Sequence, residues 1–133
     1  MEIRAFIEKG KDGMYSIYVK NNPLPFGLLG TGATIEEAKE DFYISIEEMQ
    51  EIYEEENKDF PLFSVVFDYD TTSFLEYYNQ YITLSGLGKL TGINKAQLSH
   101  YIQGVRNPSL ATTQKIQTAL HKFADELKSI QFY

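Results

Sequence analysis

The side chains of this sequence best suited to recognition chemistry lie near the C-terminus, in the segment LTGINKAQLSHYIQGVRNPS (residues 90–109). Lys, Ser, His and Gln exchange hydrogen bonds with base edges, and small apolar groups contact the thymine methyl, when a helix that carries them enters the major groove of DNA. The side chains expected to face base edges are Lys95, Ala96, Ser99 and His100. Those expected beside them, near the phosphates or the groove wall, are Gln97 and Tyr101. Contacts to the phosphate backbone, which position a protein without specifying sequence, are expected from Thr83, Lys89, Asn94, Arg106 and Asn107.

Two short helices around a tight turn are predicted to position these side chains. Gly92 stands where the first helix must end and reverse, a position that often requires the positive φ that glycine adopts without steric cost. Asn94 is a good N-cap for the second helix, on which Leu98 and Ile102 share one face at i, i+4 spacing. Gly104 ends this helix. The candidate DNA-binding side chains then remain on its outer side.

A helical hairpin that only packs is the alternative interpretation of this segment. The outer side of a solvated helix more often carries Glu–Lys pairs, whereas here it carries short polar side chains. No acidic residue occurs between Glu76 and Asp125, which suits a surface that faces phosphates. We therefore favour DNA binding.

Charge divides the chain into two parts. Residues 1–70 contain 6 Lys and Arg against 16 Asp and Glu, a net charge of −10, whereas residues 71–133 contain 6 against 3, a net charge of +3. An acidic half joined to a mildly basic half suggests two different partners. The acidic half would repel nucleic acid and attract a basic partner. We therefore predict two domains with these bounds.

Composition limits the possible classes of protein. A chain of 133 residues can form one domain or two small ones. The absence of cysteine excludes disulfides, thiolate metal sites and cysteine nucleophiles. No apolar run approaches the roughly 18–20 residues of a membrane span, and the N-terminus is charged rather than signal-like. We expect a soluble cytoplasmic protein that does not interact with membranes.

The acidic half is predicted to be a small α+β unit. Alternating apolar residues predict a strand on each side of the GKDG turn at residues 10–13. A short third strand is expected over residues 26–29. Thr34 then caps a helix, with Glu37 as its capping-box partner, and this helix is densely acidic outside its apolar face. A fourth strand is expected over residues 63–67, which gives the order βββαβ.

The second half is predicted to be all-α, so that the fold class of the whole chain is α+β. A turn-rich connector, DYDTTS at residues 68–73, precedes four to five helices. Ser73 is expected to cap the first of them and Thr83 the second. Another helix is expected over residues 110–120, and residues 121–128 either continue it or form a short fifth helix.

Two resemblances follow from these motifs. The segment at residues 90–109 resembles the helix-turn-helix of lambda-repressor-like (XRE-type) regulators, which carry a similar glycine, apolar residue and polar cap before a polar helix that ends in Gly-x-Arg-x-Pro. The acidic unit followed by such a module resembles the HicB antitoxins of HicA–HicB toxin–antitoxin pairs. The HicB motifs are matched by Gly13-Met14-Tyr15-Ser16 with one insertion, by Phe26-Gly27-Leu28 in place of Pro-Gly-Cys, and by Gly32-Ala33-Thr34-Ile35-Glu36-Glu37-Ala38. The chain departs from the family pattern at Leu28 and Ala33.

The resemblance to HicB has definite implications. It implies that the N-terminal domain is a partial ribonuclease-H-like fold without nuclease activity, which binds a small basic, mRNA-cleaving toxin of the HicA type and covers its active site. It also implies that the helix-turn-helix domain dimerises, which gives a homodimer or a higher even oligomer, and binds operator DNA, repressing the antitoxin's own operon. Either the acidic helix or the hairpin and third strand would contact the toxin. The candidates on the latter surface are Tyr15, Tyr18, Pro25 and Phe26.

Three other functions are compatible with parts of the sequence. A nuclease could hold magnesium through carboxylates on or beside the predicted strands, and the candidates are Glu2, Glu8, Asp68 and Asp70. We expect these to be strand-edge and linker charges instead, and we expect no enzymatic activity, cofactor or metal ion. A stand-alone repressor whose N-terminal domain senses a metabolite or controls oligomerisation is the main alternative. An interaction protein that does not bind DNA is a third.

Overall fold

The computed structural model describes all 133 residues, which divide into two compact units, Met1–Ser73 and Phe74–Tyr133. The fold class is α+β, with one four-stranded mixed sheet and five helices. In chain order the elements are β1 (Glu2–Lys9), β2 (Tyr15–Val19), β3 (Leu29–Gly32), α1 (Ile35–Glu55), β4 (Ser64–Tyr69), α2 (Thr71–Tyr78), α3 (Leu84–Thr91), α4 (Lys95–Ile102) and α5 (Leu110–Ser129).

The sheet of the first unit has the strand order β3-β2-β1-β4. Strand β1 pairs antiparallel with β2 and parallel with β4, and β2 pairs antiparallel with β3. The residues Ile3, Ala5 and Ile7 of β1 are each at most 1% exposed, as the period-two alternation requires of a strand with one buried face. Helix α1 lies against β2 and β3 and buries Ile35, Ala38, Phe42 and Ile46.

The third strand does not lie where the sequence predicts it. The expected strand over residues 26–29 is wrong, because β3 runs from Leu29 to Gly32. A Cβ atom on Gly30 would lie 2.6 Å from the Phe42 backbone nitrogen, and one on Gly32 would lie 2.6 Å from the Ala38 nitrogen. The backbone of α1 therefore needs glycine in the strand beneath it. This tertiary requirement overrides the low strand propensity of glycine.

Helix α1 begins at the cap that the sequence predicts. The Thr34 hydroxyl accepts a hydrogen bond from the Glu37 N–H at 3.1 Å, and the Glu37 carboxylate accepts one from the Ala33 N–H at 2.9 Å. In a capping box the carboxylate accepts the N–H of the cap residue itself. Here it accepts the N–H of Ala33, the residue before the cap. Two otherwise unpaired N–H groups at the start of α1 are satisfied in this way.

The start of α2 differs from the prediction. Ser73 is not the N-cap, because the helix begins at Thr71 and the Asp70 carboxylate accepts the Ser73 N–H at 2.8 Å. The Ser73 side chain is fully buried, and its hydroxyl has no hydrogen-bond partner. Asp70 is as good a cap as serine, and local sequence does not distinguish between the two positions.

Replacing Ser73 with alanine is expected to stabilise the protein by about 1 kcal/mol, because a buried hydroxyl without a partner is desolvated at a cost. Ser45→Ala is the control, since the Ser45 hydroxyl donates a hydrogen bond to the Phe42 carbonyl at 2.6 Å. Urea denaturation of both variants measures the difference. A loss of stability in Ser73→Ala as large as that in Ser45→Ala would contradict the assignment of an unsatisfied hydroxyl.

The second unit contains four helices, although α2 begins just before its boundary. Helix α5 runs without a break from Leu110 to Ser129, so that residues 121–128 continue it rather than forming a fifth helix. Its N-cap is Ser109, whose hydroxyl accepts the Thr112 N–H at 3.2 Å. The core of this unit consists of Leu75, Leu87, Ile93, Leu98, Tyr101 and Ile116. No helix in either unit has both the length and the apolar character that crossing a membrane requires.

Candidate nucleic-acid interface

A left-handed glycine and a buried threonine shape the turn between α3 and α4. Gly92 has φ of 75° and donates its N–H to the Gly88 carbonyl at 2.8 Å. The Thr91 hydroxyl donates to the Leu87 carbonyl at 2.8 Å and accepts the Ile93 N–H at 3.1 Å. Thr91 therefore fixes the turn from within, a role that the sequence analysis missed. Because Thr91 is buried and hydrogen-bonded, the chain can reverse within three residues.

The candidates Asn94 and Thr83 each cap a helix in the way the sequence predicts. The Asn94 carboxamide oxygen accepts the Ala96 N–H at 2.7 Å, and the Thr83 hydroxyl accepts the Gly86 N–H at 3.0 Å. Both side chains remain exposed. The amide NH2 group of Asn94 and the hydroxyl hydrogen of Thr83 remain able to donate to a phosphate. Capping and phosphate contact are therefore compatible at these two positions.

The two sides of α4 differ sharply in exposure. Leu98 is fully buried and holds the helix to the core of the second unit. On the other side Lys95, Ala96 and His100 are exposed, while Gln97 and Ser99 are half-buried. The helix therefore presents one basic side chain, one small apolar one and one imidazole to solvent. Side chains of these types contact base edges and thymine methyl groups in the major groove.

Tyr101 does not lie where the sequence analysis placed it. The expectation that it faces phosphates or the groove wall is wrong, because its side chain is only 2% exposed and belongs to the core. Three positions separate it from Leu98, so that both lie on the buried side of α4. The Gln97 amide donates to the Tyr101 hydroxyl at 2.5 Å. This bond satisfies the hydroxyl and holds Gln97 at the edge of the exposed side.

The loop after α4 carries two further candidates. The helix ends in a Schellman motif, in which Val105 donates its N–H to the His100 carbonyl at 3.0 Å and Gly104, at φ of 73°, donates to the Tyr101 carbonyl at 3.2 Å. Arg106 and Asn107 follow this reversal and are exposed. The loop therefore keeps both side chains free to contact a ligand beside α4.

Three exposed cations on α3, on α4 and in the loop after α4 have no acidic partner. Lys89, Lys95 and Arg106 are exposed, and none of them forms an ion pair. The Lys115 ammonium of α5 also lies beside the turn, 3.8 Å from where a Cβ on Gly92 would stand. Sequence reasoning missed Lys115, because its approach to Gly92 depends on how α5 packs. The helix, the turn before it and the loop after it therefore carry unpaired cations, which favour an approach of phosphate.

The toxin-binding candidates of the first unit are only partly accessible. Tyr15 is 7% exposed, so that its expected exposure is wrong: it stands on the face of β2 that also buries Ile17. Tyr18 is half-buried, and its hydroxyl donates to Glu8 at 3.2 Å. Phe26 is half-buried and packs against aromatic rings of the same unit, whereas Pro25 is exposed.

The outer side of α1 forms a second exposed surface in the first unit. An acidic stripe runs along it at helical spacing and consists of Glu40, Tyr43, Glu47, Gln50 and Glu54. Its three glutamates are exposed and form no ion pair. Beside this stripe lies a groove of about 280 Å³, lined by Tyr43, Ile46, Gln50, Phe60, Pro61, Leu62, Phe63 and Val65. Leu62 is 90% exposed. The groove therefore has an exposed apolar residue in its lining and lies next to the acidic stripe.

The carboxylates considered for a nuclease are bonded to three different partners, and two of them share Arg4. Asp68 accepts two hydrogen bonds from Arg4, at 2.6 and 2.8 Å, and Glu2 accepts one at 3.2 Å. The hydrogen bond and the charge of Asp68 raise the pKa of Arg4 above its usual value. Glu8 and Asp70 bond to Tyr18 and to the start of α2, as described above. No group of three or more His, Asp or Glu side chains is placed to hold one metal ion.

Comparison of the chain with protein families, with curated proteins and with solved structures found no match.

Proposed function

We propose that this chain is a HicB-type antitoxin, which neutralises a small basic, mRNA-cleaving toxin and binds operator DNA to repress its own operon. The helix-turn-helix of this proposal is formed by α3 and α4. The observation that carries it is the exposed side of α4, where Lys95, Ala96 and His100 stand within a stretch that contains no acidic residue between Glu76 and Asp125. The same helix is fixed to its unit by buried Leu98.

On DNA, α4 lies in the major groove as the recognition helix. Lys95, Ala96, Ser99 and His100 contact base edges, and Gln97 contacts the groove wall. The phosphate contacts come from Thr83, Lys89, Asn94, Arg106 and Asn107. Lys115 is a further candidate, because its ammonium lies beside the turn at Gly92. Because each copy has few cations, a pair of copies reads two half-sites about 34 Å apart.

In this proposal the first unit is a partial ribonuclease-H-like domain, and this unit binds the toxin. Its net charge of −10 over residues 1–70 and the unpaired glutamates of the α1 stripe support an attraction to a basic protein. Pro25, with the partly exposed Tyr18 and Phe26, offers the neutral contact surface. The toxin is bound with its active site covered, so that mRNA cannot reach it.

The DNA-binding half of this proposal is tested by fluorescence anisotropy on a duplex taken from upstream of the chain's own gene. An unrelated duplex of equal length is the competitor. With about three phosphate-contacting cations per copy and two copies bound, log K is expected to fall with log salt at a slope of about −5. Equal affinity for both duplexes would contradict operator recognition.

The stand-alone repressor remains a second candidate because of the groove beside α1. Its volume of about 280 Å³ is close to the lower end of small-molecule sites, and a sensing domain needs such a site. In this alternative the DNA contacts are the same, but the first unit binds a metabolite instead of a toxin. A metabolite that raises the thermal unfolding temperature and changes DNA affinity, with no toxin partner, would favour this alternative.

A further inference from the structure

The exposed side of α4 offers hydrogen-bond donors and a methyl group, but no carboxylate. Ala96 and His100 are exposed and stand one helical turn apart in the middle of this side, and exposed Lys95 flanks them at the first residue of the helix. The Lys95 ammonium only donates hydrogen bonds, and the His100 imidazole carries at least one N–H donor. Aspartate and glutamate, which would accept hydrogen bonds, do not occur between Glu76 and Asp125.

The two amide side chains near the start of α4 are engaged in bonds within the protein. A bidentate contact with adenine needs the oxygen and the NH2 group of one amide together. The Asn94 amide oxygen accepts the Ala96 N–H and thereby caps the helix. The half-buried Gln97 donates from its amide to the Tyr101 hydroxyl, so that its NH2 group is directed at Tyr101 rather than outward. Neither amide is therefore poised to read adenine.

The major-groove edges of the four bases differ in what they require of a protein. Guanine presents two acceptors side by side, N7 and O6, whereas adenine and cytosine each present an amino group that needs an acceptor. Thymine presents a methyl group, which a small apolar side chain such as that of Ala96 contacts. The exposed side of α4 therefore complements guanine and thymine, and it lacks the carboxylate that reads cytosine.

We propose that guanine and thymine are the bases that α4 reads in each half-site of the operator. Lys95 and His100 donate hydrogen bonds to N7 and O6 of guanine, and the Ala96 methyl group packs against the methyl group of a thymine. Adenine and cytosine take part only as the pairing partners of these bases. This assignment rests on the proposed function, which places α4 in the major groove but does not specify the bases that it reads.

Base analogues that keep Watson–Crick pairing test the assignment on the upstream duplex, with the full-length chain and fluorescence anisotropy. Replacing guanine with 7-deazaguanine removes the N7 acceptor and is expected to weaken binding about tenfold. Replacing thymine with uracil removes the methyl group and is expected to weaken binding about fourfold. 7-Deazaadenine is the matched control, because it removes the same ring nitrogen from a base that α4 does not read, and an effect of less than about twofold is expected.

Variants of the chain locate the effect of 7-deazaguanine in α4. Lys95→Ala is expected to reduce the loss from about tenfold to about threefold, and Lys95→Ala combined with His100→Ala to less than about 1.5-fold. Lys128→Ala, at an exposed lysine of α5, should retain the full loss. Each ratio compares two duplexes with the same variant, so that the general loss of affinity from removing a positive charge cancels.

Three results would overturn the assignment of bases. They are a loss with 7-deazaadenine as large as that with 7-deazaguanine, no loss with 7-deazaguanine on a duplex that the chain binds selectively, and a 7-deazaguanine effect that persists in the double variant. The unmodified duplexes judge the proposed function separately. If the upstream duplex is bound no more tightly than the unrelated one, operator recognition itself fails.

Discussion

Lys95→Glu is expected to weaken binding to the upstream duplex by about 100-fold at about 0.1 M salt. Lys95 stands in the first turn of α4, is exposed and has no acidic partner. In the proposed complex its ammonium lies at the base edges, so that reversal of its charge both removes a contact and introduces repulsion with the DNA. Fluorescence anisotropy against the upstream and the unrelated duplex measures the loss.

Lys128→Glu is the matched control for this experiment. It changes the net charge by the same amount on an exposed lysine, but its position on α5 is about 20 Å along the helix from Lys115, beside the turn. An effect of less than about threefold is expected there, since exposed charges are screened over about 10 Å at this salt concentration. If both variants lose affinity equally, binding depends on net charge alone, and the assignment of α4 as the recognition helix is wrong.

Gly30→Ala is expected to lower the free energy of unfolding of the first unit by about 3 kcal/mol or more. The new Cβ would stand 2.6 Å from the Phe42 backbone nitrogen and 2.7 Å from its Cβ. Neither atom can rotate away, so that α1 must shift from the sheet and part of the contact around fully buried Phe42 is lost. Urea denaturation followed by circular dichroism measures the change.

Gly27→Ala provides a control on the same segment of chain. A Cβ on Gly27 would meet nothing within 4 Å, so that the substitution is expected to change stability by less than about 1 kcal/mol. In the proposed function Gly30→Ala also impairs toxin binding, because α1 carries the acidic stripe. A Gly30→Ala protein as stable as Gly27→Ala would show that α1 can move away from β3 at little cost.

Local signals in the sequence were sufficient to predict the elements around the candidate interface. Gly92, Asn94 and Gly104 each occupy a backbone position or a cap that few other residues fill. Helix α4, Lys95–Ile102, lies between the predicted cap at Asn94 and the predicted end at Gly104. The exposure of Lys95 and His100 followed from the position of Leu98 on the opposite side. These predictions succeeded because each depends on residues within one or two helical turns.

The failures at β3 and at Lys115 depend on contacts between distant parts of the chain. The position of β3 is set by the approach of α1 to Gly30, which local propensity cannot show. Tyr101 was expected near the phosphates or the groove wall, whereas its ring is buried on the same side of α4 as Leu98 and the bond from Gln97 satisfies its hydroxyl. The position of Lys115 beside Gly92 depends likewise on the packing of α5 in the second unit.

The length of α5 could have been predicted. No glycine or proline occurs between Ser109 and the end of the chain, and the apolar spacing that begins at Ile116 continues through Leu127 without interruption. A pattern of this kind indicates one long helix rather than two short ones.

The central claim is most directly tested by capturing partners of the tagged full-length chain from its native lysate and assaying what is bound. A small basic protein is expected in near-equal molar amount. Once separated from the chain, this protein should cleave mRNA, and one equivalent of the chain should abolish the cleavage. If no captured protein cleaves RNA while the full-length chain still enriches its own upstream DNA, the antitoxin account is contradicted and the chain is a stand-alone repressor.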